Sequence, residues 1–156
     1  MNEVIEAIRS LLESQLWSTY KKYYYWDIKV PNQAMLPFVE VVPGVTNINN
    51  RGTWRMSDNE FVIQVRVKNT LKKYLKENTD VEVLEHTQDL VKKMEDRDSD
   101  MNIKSATILW VLMDNLNLNN KVHINDNWNI VYDEIDLWDS YIVFASVTFT
   151  AKIISY

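Results

Sequence analysis

From Tyr141 to Ile153 every second residue is apolar: Tyr141, Val143, Ala145, Val147, Phe149, Ala151 and Ile153, with Ser146, Thr148, Thr150 and Lys152 between them. A period of two is the period of a β-strand, and an apolar set at that period needs a buried surface on one side of a sheet. Thirteen residues at about 3.3 Å each reach about 43 Å. A chain of this length has a radius of gyration of about 15 Å, hence a diameter of about 40 Å. Such a strand either bends at a bulge or crosses the whole molecule and projects toward a neighbour. Everything else in the chain has to be arranged around it.

The same alternation recurs at Asn59–Lys68, where Phe61, Ile63, Val65 and Val67 oppose Gln64, Arg66 and Lys68. That is the pattern of an antiparallel strand with one face in the core and one in water. "PFVEVVPGV" at 37–45 reads as a further strand over Pro37–Val42. Its prolines stand at the two ends, where a missing N–H leaves the ladder intact, and Gly44 supplies a turn. A short strand is expected at Asp27–Val30, after the aromatic run "YKKYYYWD" at 20–27. Residues 46–58, "TNINNRGTWRMSD", read as a long polar hairpin connection that can carry short strand arms. Three more strands are expected at Ile103–Leu112, Val122–Tyr132 and Trp138–Ile154, although the apolar run Leu109–Leu112 fits helix or strand equally.

Two helices complete the set. Val4, Ile8, Leu11, Leu12 and Leu16 repeat at helical spacing within 2–20, while Glu3, Glu6, Arg9 and Glu13 take the other face. Thr79 and Glu82 form a capping box that opens a helix running to Asp96, with Val83, Leu84, Leu90, Val91 and Met94 on its apolar face. Lys92 and Lys93 suit the negative end of its dipole, and "DRDSD" terminates it. The Lys-rich segment 68–78 reads as a charged connection. Two amphipathic helices can cover one face of a mainly antiparallel sheet of about five strands, giving a two-layer α+β fold. At 156 residues the expectation is one domain over 1–156.

Composition narrows the function classes. A net charge of −5 argues against a nucleic-acid binder, which concentrates Lys and Arg on its phosphate-facing surface. Zero cysteines remove disulfides and thiolate metal sites together and fit a reducing compartment. The charged N-terminus lacks a secretory core, and no run approaches the roughly 20 apolar residues that span a bilayer. The chain reads as soluble, with no membrane partner.

Chemical motifs are few. Asp96, Asp98 and Asp100 begin like a calcium loop, but Met101 stands where glycine is needed and Thr107 where a bidentate glutamate belongs. Glu82, Glu85, His86 and Asp89 read as surface neighbours on a helix; the position three before the histidine is Val83. With two histidines in all, a three-His zinc site is impossible, and His123 shows no partner. Two glycines, both assigned to turns, leave no phosphate-binding loop, dinucleotide fingerprint or nucleophile elbow. The paired carboxylates Asp133/Glu134 and Asp136/Asp139 read as an acidic inter-strand turn. The expectation is no enzyme, no cofactor, no metal and no catalytic residue.

The order of elements carries more. A helix, then Leu36-Pro37 opening "PFVEVVPG", a polar hairpin, "EFVIQVRV", a second helix and the closing strand "YIVFASVTFTAKII" resemble the tail terminator and tail completion proteins of tailed bacteriophages, with their head–tail joining relatives. The resemblance spans nearly the whole chain as a pattern of elements. It implies a structural virion protein, assembled in the host cytoplasm: a hexameric ring that caps the tail tube, stops its growth and meets the head connector. The partners implied are copies of itself, the tail tube protein and head–tail connector proteins, with DNA passing through unbound. A head-closure or neck connector protein is the nearest alternative, and a non-viral cytoplasmic protein-binding adaptor domain the next. Contact residues are expected on the hairpin, at Arg51, Trp54, Arg55 and Met56, which are of types enriched at interfaces. Ile142 and Phe144 are expected to add to them, as the apolar start of the last strand's second face.

Overall fold

A computed structural model describes residues 2–20, 22–24, 36–44, 55–57, 60–73, 79–137 and 140–154, without side chains at 2, 55–57, 70–73, 79–80, 136–137 and 140. The alternating C-terminal segment forms one strand over Ser140–Ile153, paired antiparallel along its length with a second long strand, Glu60–Lys73. In chain order the described elements are α1 (Asn2–Leu16), β1 (Lys22–Tyr24), β2 (Phe38–Pro43), β3 (Arg55–Ser57), β4 (Glu60–Lys73) and α2 (Thr79–Glu95). They continue with α3 (Ile108–Met113), β5 (Asn117–Leu118), β6 (Val122–Ile124), β7 (Asn129–Leu137) and β8 (Ser140–Ile153).

Sheet dominates the α+β fold. Strands run in the order β1-β2-β4-β8-β6-β5, with β3 also paired to β4 and β7 also paired to β8. Only β1 and β2 are parallel; the other pairs are antiparallel. The sheet therefore holds eight described strands rather than about five, and a third helix joins the two expected. One bulge relieves the length of the central pair. Lys68 opposes Phe144 and Thr70 opposes Val143, so Asn69 is the extra residue, and it lies on β4 rather than β8.

The core gathers on one side of this ladder. Val4, Ile8, Leu12 and Leu16 of α1, Leu90 and Met94 of α2, and Ile108, Val111 and Leu112 of α3 pack with Ile63, Val65 and Val67 of β4 and with Tyr141, Val143, Ala145, Val147, Phe149 and Ala151 of β8. This is the apolar set that the alternation marks. On α2 the apolar face is narrower than expected: Leu84 is exposed, as is its neighbour Val81, while Leu90 and Met94 are fully buried.

Four expected elements turn out differently. Residues 103–112 are no strand. Thr107 accepts a hydrogen bond from the Trp110 N–H at 3.2 Å and caps α3, whose buried Ile108, Leu109, Val111 and Leu112 fall at helical spacing. The expected strand 122–132 divides into β6 and β7, both alongside β8. Ile124 opposes Ala151 and Asn129 opposes Thr148, so four residues bulge out against two. There Trp128 sets its ring edge-on to Phe149, 5.2 Å between centroids. The Lys-rich connection begins as strand, because β8 stays apolar down to Tyr141 and β4 continues beside it to Lys73. The acidic turn is strand as well: β7 runs through Asp133, Glu134 and Asp136. The strand expected at 27–30 lies outside the described residues, as does most of the hairpin 46–58.

Gly44 does more than turn the chain. Its N–H bonds to the Val62 carbonyl at 2.8 Å, and a Cβ there would stand 2.5 Å from Val62 Cγ1. The glycine lets β2 close on β4. Between β5 and β6, Asn119 and Asn120 both take positive φ (51° and 57°), and the Lys121 N–H bonds to the Leu118 carbonyl at 2.9 Å. That is a tight turn with two left-handed central residues inside a three-residue loop, a conformation that asparagine tolerates.

Phe149 is about as buried as a side chain can be. Phe149→Ala should cost about 3–5 kcal/mol of stability in urea denaturation, the range for truncating a buried phenylalanine. A loss below about 1 kcal/mol would place Phe149 outside the core. A second expectation concerns Tyr23. Its hydroxyl donates to the Leu16 carbonyl at the end of α1, which also accepts the Thr19 N–H. Burial, with Glu13 nearby, pushes its phenol up to about 12, and burial also raises the Tyr20 phenol. A raised folded-state pKa means that folding favours the protonated form, so this stability is complete below pH about 10 and is lost as pH climbs through the folded value. Melting temperature should fall between pH about 10 and 12, and Tyr23→Phe should flatten part of that fall.

Candidate functional site

The second face of the sheet is not the watery surface that the alternation suggests. Phe38, Glu40 and Val42 of β2 alternate with core residues and so point away from the helices, as do Lys68 of β4 and Ile142, Ser146 and Thr150 of β8. All seven are buried. Over its centre the sheet is covered on both sides.

Two opposite charges lie in that layer. Glu40 opposes Arg66 in register, and Lys68 stands two residues further along β4, within diagonal reach. Lys68 Nζ donates to Glu40 Oε1 at 3.1 Å, with side-chain exposures of 2% and 0%; Arg66 Nη1 stands 4.0 Å from Glu40 Oε2 and keeps 25% of its side chain exposed. Lys68 Nζ also sits 5.9 Å from the centroid of the Phe38 ring, which Tyr24 meets edge-on. A lysine can be buried here because a carboxylate neutralises it and an aromatic face lies beneath it. The arrangement fixes register and partner; nothing in it sets a nucleophile against a base.

The sequence hints at only half of this. Glu40 is conspicuous among valines, but Lys68 reads as one more residue of a solvated face, and the diagonal contact depends on strand pairing that periodicity does not specify.

The expected contact residues do not gather in one place. Arg51 and Trp54 lie outside the described residues. Arg55 and Met56 belong to β3, where Arg55 opposes Phe61 near the start of β4. Ile142 and Phe144 pair with Leu71 and Lys68, at the other end of that strand. From Phe61 to Lys68 is seven residues, about 23 Å of strand. Ile142 is buried within a single chain, and Phe144 is half-buried between Lys68 and Asp133 in register.

Other candidate groups have structural partners. The Asp98 carboxylate accepts the backbone N–H groups of Asp100 and Asn102 at 2.9 and 3.0 Å, and Asp96 pairs with Lys104 at 3.3 Å. Burial pushes the Asp89 carboxyl up, but hydrogen bonds from Lys93 and Asn69 outweigh it and hold the group below its usual range. His123 does have a neighbour: its Nδ1 lies 3.0 Å from Asn117 Oδ1 across β5 and β6. Among the described residues no three His, Asp or Glu side chains are grouped so as to hold a metal, and no helix is long and apolar enough to cross a membrane. An open groove of about 850 Å³ runs between α1 and the β5–β6 turn, rimmed by Glu3, Glu6, Ser10 and Lys121 over Ala7, Leu11 and Val122.

No protein-family model matches the sequence, and no curated protein is significantly similar to it.

The ion pair gives a direct test. Glu40→Gln should cost about 3–5 kcal/mol, because it leaves Lys68 charged and buried. Replacing both, as Glu40→Leu with Lys68→Met, should recover most of that loss in equilibrium denaturation. Additive losses in the double variant would show that the two charges do not depend on each other.

Proposed function

We propose that the protein is a structural component of a tailed-bacteriophage virion, a tail terminator or tail completion ring that caps the tail tube and joins it to the head connector. What supports the reading is the adjacency of the three segments that carry the resemblance. "PFVEVVPG", "EFVIQVRV" and "YIVFASVTFTAKII" lie side by side as β2, β4 and β8, the middle of the sheet. A platform buried on both faces holds its edges and loops in fixed positions. Fixed geometry is what a ring needs, because a heterologous contact closes only when its rotation is right. The balance of charge, −5, suits a channel through which DNA slides without being held. In this role the chain performs no catalysis, and its partners are other copies of itself, the tube protein and the connector.

Electron microscopy of the purified protein, and of particles of the phage that encodes it, tests the proposal. Sixfold rings at the head-proximal end of the tail are expected. A chain that stays monomeric on tail tubes and is missing from particles by mass spectrometry would contradict it.

A further inference from the structure

β7 pairs with β8 along one edge, and among the described residues no strand and no backbone hydrogen bond engages its other edge. It is an unusual edge. Protected edges are short, bulged, broken by proline or guarded by charge, and of these devices β7 has only the charge. β7 runs nine residues, Asn129–Leu137, with unbroken register against β8 and neither proline nor glycine in "NIVYDEIDL". Asn129, Val131 and Asp133, on the face turned away from the helices, are exposed, Val131 at 44%, and Glu134 on the other face is exposed as well. It carries three carboxylates and no basic residue.

That charge pattern selects among occupants. Two copies of β7 meeting across a twofold axis at Asp133 would set like carboxylates opposite each other, which is destabilising. An extended basic segment would be attracted instead, and this chain has one. Beyond the bulge, β4 ends in "NTLKK", residues 69–73, with two lysines and no carboxylate. β2 reaches only to Lys68, so among the described residues no strand pairs with the outer edge of this arm. The two edges flank the same rungs of β8. Thr70 and Glu134 both oppose Val143, and Lys72 and Asp136 both oppose Tyr141. They are about 10 Å apart, two strand spacings, one acidic and one basic.

We propose that β7 is a docking edge for a second copy of this chain, which adds its Asn69–Lys73 arm to it and continues the sheet from copy to copy. Acidic edge on basic edge is a heterologous contact, so it propagates into a ring or an open filament according to its rotation. The inference deepens the ring reading and rests on it only for closure; the pairing itself operates in solution without a tail.

Charge exchange tests it. Sedimentation should show the wild-type chain associating below about 1 mM, a weak but measurable contact. Asp133→Lys/Glu134→Lys and Lys72→Glu/Lys73→Glu should each lose association at least tenfold, with unchanged circular dichroism. An equimolar mixture of the two should regain it, since each supplies the edge that the other lacks. A monomeric wild type at 1 mM, variants that associate undiminished, or folded variants whose mixture stays monomeric would each overturn the proposal. Should a charge variant misfold, single cysteines decide the matter, the native chain having none. Oxidation should join Asp133→Cys to Lys72→Cys chains in preference to either with itself, and equal self-joining would overturn the pairing. Open filaments in the microscope would keep the edge contact and remove the ring. Rings that persist after charge reversal would keep the ring and remove the edge contact.

Discussion

Thirteen register pairs tie β4 to β8, from Glu60 opposite Lys152 to Lys73 opposite Ser140. Every other element is placed by that ladder. β2 and β3 lie along the outer side of β4, β6 and β7 along the outer side of β8, and residues of all three helices share one core with the residues this pair presents. A pairing this long between segments some eighty residues apart is costly in chain entropy. It is held by unbroken apolar burial on the core side, where Ile63, Val65 and Val67 meet Phe149, Val147 and Ala145 in register. The bulge at Asn69 shifts the register of β4 against β8 by one residue, and the Asn69 amide ties the bulge to α2 through Asp89 at 2.8 Å.

The second face guards the register. A slip by one residue would turn Lys68 and Glu40 into the apolar core and expose its valines. The core penalises that slip once, and the unpaired buried charges penalise it again. Rigidity of this kind is compatible with a part whose task is to hold partners in place. On the proposed reading recognition falls to the margins: β3 at one end, the acidic β7 and the basic end of β4 at the other.

What the sequence made legible follows from which signals are local. Periodicity marks β8 and the core half of β4 residue by residue, and α1 nearly so, because a strand or helix that buries one face records it in its own spacing. The acidic half of β7, Asp133–Leu137, escaped because its carboxylates resemble a turn, and only the pairing with β8 makes them strand. α3 escaped because four apolar residues carry no period, and the deciding cap at Thr107 is a single hydroxyl. The Glu40–Lys68 contact escaped for a different reason: it joins residues twenty-eight apart through the register of two strands. Of the six expected contact residues, two lie beyond the described chain and the other four fall at opposite ends of β4. Composition singles out the segment 46–58, most of which lies outside the described residues.

Native-state hydrogen exchange tests the primacy of the β4–β8 ladder most directly. The slowest amides should be those of Ile63–Val67 and Ala145–Phe149, exchanging only through global unfolding and with the same free energy as denaturant melting gives. If amides of α1 or α2 prove the most protected, or if the two strands open below the global unfolding free energy, the sheet is not what the rest of the structure depends on.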